Sequence, residues 1–281
     1  MRAVFAIPVS LLLVAAGVWA YMNPELVDEW VEPHSIGSSN SDYSLLGLQE
    51  QERWLVVVID FPSNPSGVGL DVEQARGLLD GQSGAVGYIE QMSGGKSSLD
   101  LVYHPEVIHS PNEYSFYGAD QDGERDVGTG GNNPASLASF VIGKISQDVK
   151  WSDFDLNADG IIDRLLILHT AKPQEDGGGG TDRIWSHFSE LDEEILLKGE
   201  YIAKHYTIAS LKHSIYRGTI IHEVLHQIGA VDLYDVHDES SNSDWYGVGK
   251  FGIMASGNWN GDGAIPSLPM GATLELLEFV N

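Results

Sequence analysis

At 281 residues, with 42% hydrophobic and 9% aromatic content, the chain can bury one large core or two modest ones, which excludes a disordered class. Its 41 acidic against 15 basic side chains give a formal net charge of -26, which argues against nucleic acid or an anionic membrane as a partner and suits calcium, a salty medium or simply a soluble surface. There is no cysteine, so disulfides and thiolate metal ligands are excluded.

In chain order, Arg2, the apolar run Leu11-Leu12-Leu13-Val14-Ala15-Ala16 and small residues near Ala20 read as a secretory signal over residues 1–20. The alternative is an uncleaved N-terminal anchor, interrupted by Pro8, so the chain is expected to be secreted, or membrane-attached only if that segment is retained. Residues 21–51, with Pro24, Pro33 and Gly37-Ser38-Ser39-Asn40-Ser41, read as a polar leader or linker, leaving 52–281 as the folded domain. Trp54 to Phe61 is a β-branched run closed by Pro62, the pattern of a strand buried on both faces. Val72 to Met92 has helical apolar spacing that Gly77, Gly81, Gly84 and Gly87 weaken or split. A short strand over Leu99–Val102 precedes an irregular region from His104 to Asn133. Pro134 opens a helix with Leu137, Phe140, Val141 and Ile145 on one face, and Leu165–Leu168 is a second buried strand ending at His169. Gly177 to Gly180 marks a flexible loop, Tyr201–Ser210 a third strand, and a helix follows from about Ser214. Strands alternating with helices point to an α/β (α+β) catalytic domain.

That last helix carries the chemistry. His222 and His226 are four residues apart, so both imidazoles reach one metal ion, while Glu223 is rotated beside it, where a general base stands. Gly229 ends the helix and lets Asp232 swing round as a third ligand; Asp235, three residues on, is the competing donor. Further along, Gly252-Ile253-Met254-Ala255-Ser256-Gly257 places Met254 in a tight turn. An HExxH helix, a third ligand beyond a glycine and a methionine turn are the parts of a metzincin, in which the third ligand is commonly histidine and here is aspartate.

Other segments extend the likeness. Asp60-Phe61-Pro62, Tyr88-Ile89-Glu90-Gln91-Met92-Ser93, Tyr117-Gly118-Ala119-Asp120, Asp155 to Gly160, Ile184-Trp185-Ser186-His187, Asp232-Leu233-Tyr234-Asp235 and Ser256-Gly257-Asn258-Trp259-Asn260-Gly261 occur in one order. Over roughly residues 54–280 the chain resembles the catalytic domain of the immune inhibitor A family of secreted metallopeptidases. The resemblance implies a metzincin-like fold, a twisted mixed sheet beside the HExxH helix, and a zinc endopeptidase acting on protein or peptide substrates. It assigns zinc to His222, His226 and Asp232, the base to Glu223 and packing to Met254. Calcium stabilisation and a propeptide also belong to the implied picture, although this sequence has little room for the latter.

Asp155, Asn157, Asp159, Ile161 and Asp163 have the spacing of the first part of an EF-hand loop, with Gly160 at its turn, and offer oxygens for calcium. Leu166 stands where the bidentate glutamate belongs, so an Asp/Asn-rich turn is the competing reading. His187 and His169 read as structural histidines before donors or ligands, and Ser186 and Ser256 lack a nucleophile-elbow context. Tyr234, Trp245 and Tyr246 are candidates to line the cleft or stabilise an oxyanion. Two other readings stay open: a catalytically silent, calcium-dependent binding module, which an intact Glu223 disfavours, and a thermolysin-type peptidase with a later glutamate ligand, which Asp232 and Met254 disfavour.

Overall fold

A computed structural model describes residues 45–277 except Val68, 178–179, 213–216 and 237–246, together with Trp19 and Met22. From Leu45 on, the described residues form one compact unit. The segment read as a secretory signal, apart from Trp19, most of the leader, and Trp245 and Tyr246 lie outside the described residues. Among those described, no helix is long and apolar enough to cross a membrane.

The apolar run that opens the domain becomes β1 (Gln51–Asp60), and its composition explains the layering. Successive side chains of a strand point to opposite faces. Trp54, Val56 and Val58 thus enter one core, and Leu55, Val57 and Ile59 the other. The sheet runs β2 (Ser98–Tyr103), β1, β4 (Leu165–His169), β6 (Tyr201–Ser210), β5 (His187–Leu197), with β3 (Ile108–His109) pairing the far end of β1. All neighbours are parallel except β5, which is antiparallel to β6 and has no other strand partner among the described residues.

Helices cover both faces. On one lie α1 (Val72–Leu79), α2 (Ala85–Met92) and α5 (Arg217–Gln227), with Ile253 and Met254 packed beneath α5. On the other lies α4 (Pro134–Ile145), its Leu137, Val141, Ile142 and Ile145 fully buried; Asn133 caps it by accepting from the Ser136 N–H at 2.9 Å. One-turn α3 (Ser115–Gly118) and short α6 (Gly271–Leu276) complete the set. The helical pattern over 72–92 is indeed two helices. Gly81 takes φ 76° at the break, and a side chain at Gly84 or Gly87 would collide with the carbonyls of Leu79 or Gln82.

The long strand β5 has no counterpart in the sequence reading. Most of Glu190–Leu196 is exposed and acidic, so neither alternation nor an apolar run announces it. Such a sequence suits an edge, where charge discourages pairing with other chains.

One buried ion pair ties the parts together. Glu52 and Arg164 are about 1% exposed and meet at 2.8 Å, and the guanidinium also donates to the carbonyls of Leu46, Gly47, Asp163 and Gln227. It thereby joins the entry to β1, the entry to β4 and the last turn of α5.

Candidate active site

Helix α5 is held by Ile220, Ile221, Val224 and Leu225 in the core, and Thr219, His222, Glu223 and Gln227 are buried as well. Its end is a Schellman turn: Gly229 has φ 107°, its N–H donates to the His226 carbonyl at 2.9 Å, and the Ala230 N–H donates to that of Leu225 at 2.9 Å. The sequence placed the helix start near Ser214, which lies outside the described residues; the described helix begins at Arg217.

Backbone carbonyls orient both imidazoles. His222 Nδ1 donates to the Ile253 carbonyl at 2.7 Å and His226 Nδ1 to that of Ala230 at 2.8 Å. With each ring's proton on Nδ1, the two Nε2 atoms carry lone pairs, and they face each other 3.2 Å apart. Asp232 Oδ1 lies 3.2 Å from the first and 3.4 Å from the second. It is buried, and no hydrogen-bond donor satisfies it. Three donor atoms converging on one point need a cation there, a proton on His222 or a metal ion, and the set fits a metal ion of nitrogen and oxygen preference. Among the described residues this is the one cluster of three or more such side chains whose donor atoms all lie within 4.8 Å of one another; Asp235 is not part of it.

The electrostatics agree. Burial disfavours an imidazolium at His222, but Glu223 and Asp232 outweigh it and raise its pKa to about 9. At Asp232 burial favours the neutral acid, and the two imidazoles outweigh it and hold the carboxyl well below the usual range. The point between the three residues therefore attracts positive charge.

Met254 is fully buried and does more than pack. Its carbonyl accepts from the Leu233 N–H at 2.7 Å, next to Asp232, while the carbonyl of Ile253 holds His222. Two adjacent peptide units of the methionine turn thus fix two of the three donors.

Glu223 Oε1 stands 4.0 Å from His222 Nε2, and burial, partly offset by the imidazoles, raises its pKa to about 7. Both line a cleft of about 270 Å³ together with Thr219, Ala255, Ser256, Asn258, Trp259, Glu175, Trp185 and Tyr234. Tyr234 is 36% exposed, and burial together with Asp232 and Glu223 pushes its hydroxyl above the ordinary range. Glu175 accepts from the backbone N–H and the hydroxyl of Ser186, which removes that serine as a nucleophile and holds the start of β5 against the cleft. A shallower groove continues past Trp185 along Asp126, His187, Phe188 and Ser189. There the Arg125 guanidinium stacks on Trp185 at 4.0 Å, and burial pushes Asp126 up to about 8.

The remaining candidates are elsewhere. His187 donates from Nδ1 to the Trp185 carbonyl at 2.8 Å and accepts from the Tyr206 hydroxyl at 2.9 Å; burial lowers it to about 4. His169 is fully buried against Phe61, and desolvation lowers it to about 3. In the Asp155–Asp163 loop, Asp155 accepts from the N–H groups of Asp159 and Gly160, each at 3.0 Å, and Asp163 from that of Leu156 at 2.6 Å. The backbone of Ile161 donates to Asp159 at 2.8 Å, and Asn157 accepts from the Asp159 N–H at 3.2 Å. These carboxylates fold the turn through its own amides. The sequence reading did not single out Glu175, Thr219 or Asn258. Thr219 could have been found, because it precedes Glu223 by four residues and shares its helix face; Glu175 and Asn258 reach the cleft only through the fold.

Two imidazoles and a carboxylate around one point, with a second carboxylate beside them in an open cleft, form the site of a metallopeptidase. The family model for the catalytic domain of the immune inhibitor A peptidases, M6, matches residues 82–270, and the chain belongs to that family. Among its relatives are the pre-pro-metalloprotease PrtV of Vibrio cholerae, 25% identical with 84% of this chain covered, and immune inhibitor A of Bacillus thuringiensis, 28% identical with 62% covered. The alignments span 30% and 28% of those longer proteins. Solved structures that match include OgpA of Akkermansia muciniphila (TM-score 0.42, 12% identity, 86% of this chain and 64% of that one) and metalloproteinase-II of Bacteroides fragilis (TM-score 0.36, 14% identity, 86% and 59%).

Proposed function

We propose that this chain is an exported zinc endopeptidase domain that cuts a peptide bond in an extended stretch of protein substrate. The observation that carries this reading is the convergence of His222 Nε2, His226 Nε2 and Asp232 Oδ1, 3.2–3.4 Å from one another. Two imidazoles, one carboxylate and an open side are the donor set of a catalytic rather than a structural zinc. Zinc bound there supplies Lewis acidity, polarising a peptide carbonyl and lowering the pKa of a water to about 7.

The chain's own residues do the rest. Glu223 takes the proton from the attacking water onto its carboxylate and passes it to the leaving amine; a pKa near the working pH, which burial gives it, serves both halves of that transfer. The carbonyls of Ile253 and Ala230 hold the Nδ1–H groups and so aim both Nε2 atoms at the metal position. An extended substrate is supported by β5, whose outer edge has no strand partner among the described residues and whose start lies beside the cleft. Export rests on the apolar N-terminal segment. We also read the Asp155–Asp163 loop as a calcium carrier, on its alternating oxygens and the φ of 86° at Gly160.

The test is metal analysis together with peptide-library cleavage. The purified protein should carry one zinc and one calcium, and Glu223→Ala should lower cleavage by about 100-fold or more while keeping zinc and fold. Zinc-loaded wild type that cuts nothing would overturn the catalytic reading; absence of calcium would overturn only the loop assignment.

A further inference from the structure

The wall of the cleft below Glu223 holds two polar atoms with nothing to bind. Thr219 is 3% exposed and Asn258 8%, both line the cleft, and neither Thr219 Oγ1 nor Asn258 Oδ1 has a hydrogen-bond partner. Leaving such atoms dry is costly, so a pocket built only for apolar side chains would not carry them.

Their proximity is built into the backbone. Gly218 donates to the Gly263 carbonyl at 3.0 Å, and a side chain there would collide with the carbonyl oxygen of Asn258, so the first turn of α5 is pressed against the 256–259 turn. Thr219, next to Gly218, and Asn258 therefore both flank this junction, Thr219 one helical turn before Glu223. Glu175, whose carboxylate also accepts from Ser186, lines the same cleft, and no lysine or arginine lines it among the described residues. An amide oxygen and a hydroxyl that can each accept, beside a carboxylate and with no cation lining the cleft, suit a ligand that is a cationic hydrogen-bond donor.

We propose that Thr219 Oγ1 and Asn258 Oδ1 form the base of a specificity pocket, with Glu175 lining the same cleft, that receives a lysine or arginine side chain flanking the bond to be cut. This rests on the peptidase reading above and adds the substrate class. The same site then performs two tasks: Glu223 serves the reacting atoms, and the residues beneath it choose the side chain. A site built to pair a donor discriminates strongly against an analogue that lacks it, because its own buried atoms are then left unpaired.

The experiment has a cleavage arm and a binding arm. In the first, matched peptides with lysine or norleucine at each position flanking the cut are given to the zinc-loaded enzyme. Lysine should be favoured at one position by about tenfold or more in kcat/KM. Thr219→Val, which keeps the shape, and Asn258→Leu should each bring that ratio toward one, whereas Asn258→Asp should keep or raise it. In the second, zinc-loaded Glu223→Ala should bind the lysine peptide more tightly than the norleucine peptide, with Thr219→Val in that background removing the difference. Equal handling of the two peptides in both arms, or a preference unmoved by either substitution, would overturn the pocket. If wild type cleaves neither peptide, the catalytic reading fails by itself, and the binding arm still decides the pocket.

Discussion

A metal donor is defined by what holds it as much as by its own chemistry. His222 and His226 each donate Nδ1–H to a backbone carbonyl, at 2.7 and 2.8 Å, and so aim Nε2 at the common point whether or not the neighbouring carboxylate is there. Asp232 is the member that completes the charge balance. Asp232→Ala should leave both rings in place and weaken zinc binding by more than about 100-fold, beyond the loss expected for an outer partner. Competition with a chromophoric chelator measures this, and retention of wild-type affinity would show that another residue is the third donor. Because both imidazoles must be neutral to donate, zinc should also be released as the pH falls, with bound metal displaced by protons.

At the scale of elements, the turn after α5 connects the helix to its third donor. Gly229, at φ 107°, has open space around it, the nearest foreign atom being the Leu276 carbonyl oxygen at 3.9 Å. Gly229→Ala therefore meets a conformational cost and no collision, about 1–2 kcal/mol for a left-handed residue. Since Ala230 anchors His226 and the chain reaches Asp232 two residues later, that strain should appear as weaker zinc binding as well as a lower Tm. A Tm loss with unchanged zinc affinity would show that the turn and the donor set are uncoupled. The methionine turn acts from the other side, where consecutive carbonyls of Ile253 and Met254 reach His222 and Leu233.

For the whole molecule, the Glu52–Arg164 pair bridges segments more than 100 residues apart in sequence. Breaking a buried pair leaves a charge stranded, at a cost of about 3–5 kcal/mol, whereas replacing both partners by apolar residues is often neutral. Arg164→Met should accordingly lower stability by that amount in chemical denaturation, and Glu52→Leu added to it should recover most of the loss. A double variant as unstable as the single one would mean that the carbonyl contacts of the guanidinium, to Leu46, Gly47 and Gln227, matter more than the charge pair. The charge of -26 sets a second whole-molecule property: the cleft offers carboxylates to a substrate approaching an acidic protein, so basic substrates gain in encounter rate, and that gain shrinks with added salt.

How much of this was legible beforehand follows from the range of the forces involved. The helix with His222, Glu223 and His226, its stop at Gly229 and the buried strands at 54–60 and 165–169 are local consequences of spacing, glycine conformation and β-branched runs, and they stand in the sequence as written. Asp232 was legible as a candidate, but its standing apart from Asp235 comes from a turn fixed by Leu233 on Met254, two segments joined only in the fold. Strand β5 was hidden because an acidic edge strand carries no burial pattern; it exists through pairing with β6 and through Glu175 gripping Ser186. Thr219 was within reach of helical periodicity, yet nothing local says that its hydroxyl goes unpaired. That is settled where the first turn of α5 meets Asn258, 39 positions along the chain. Sequence alone determined which residues could perform the chemistry, because ligand type and helical spacing are short-range. Tertiary structure decided what surrounds them, because a cleft is made by segments that only packing brings together.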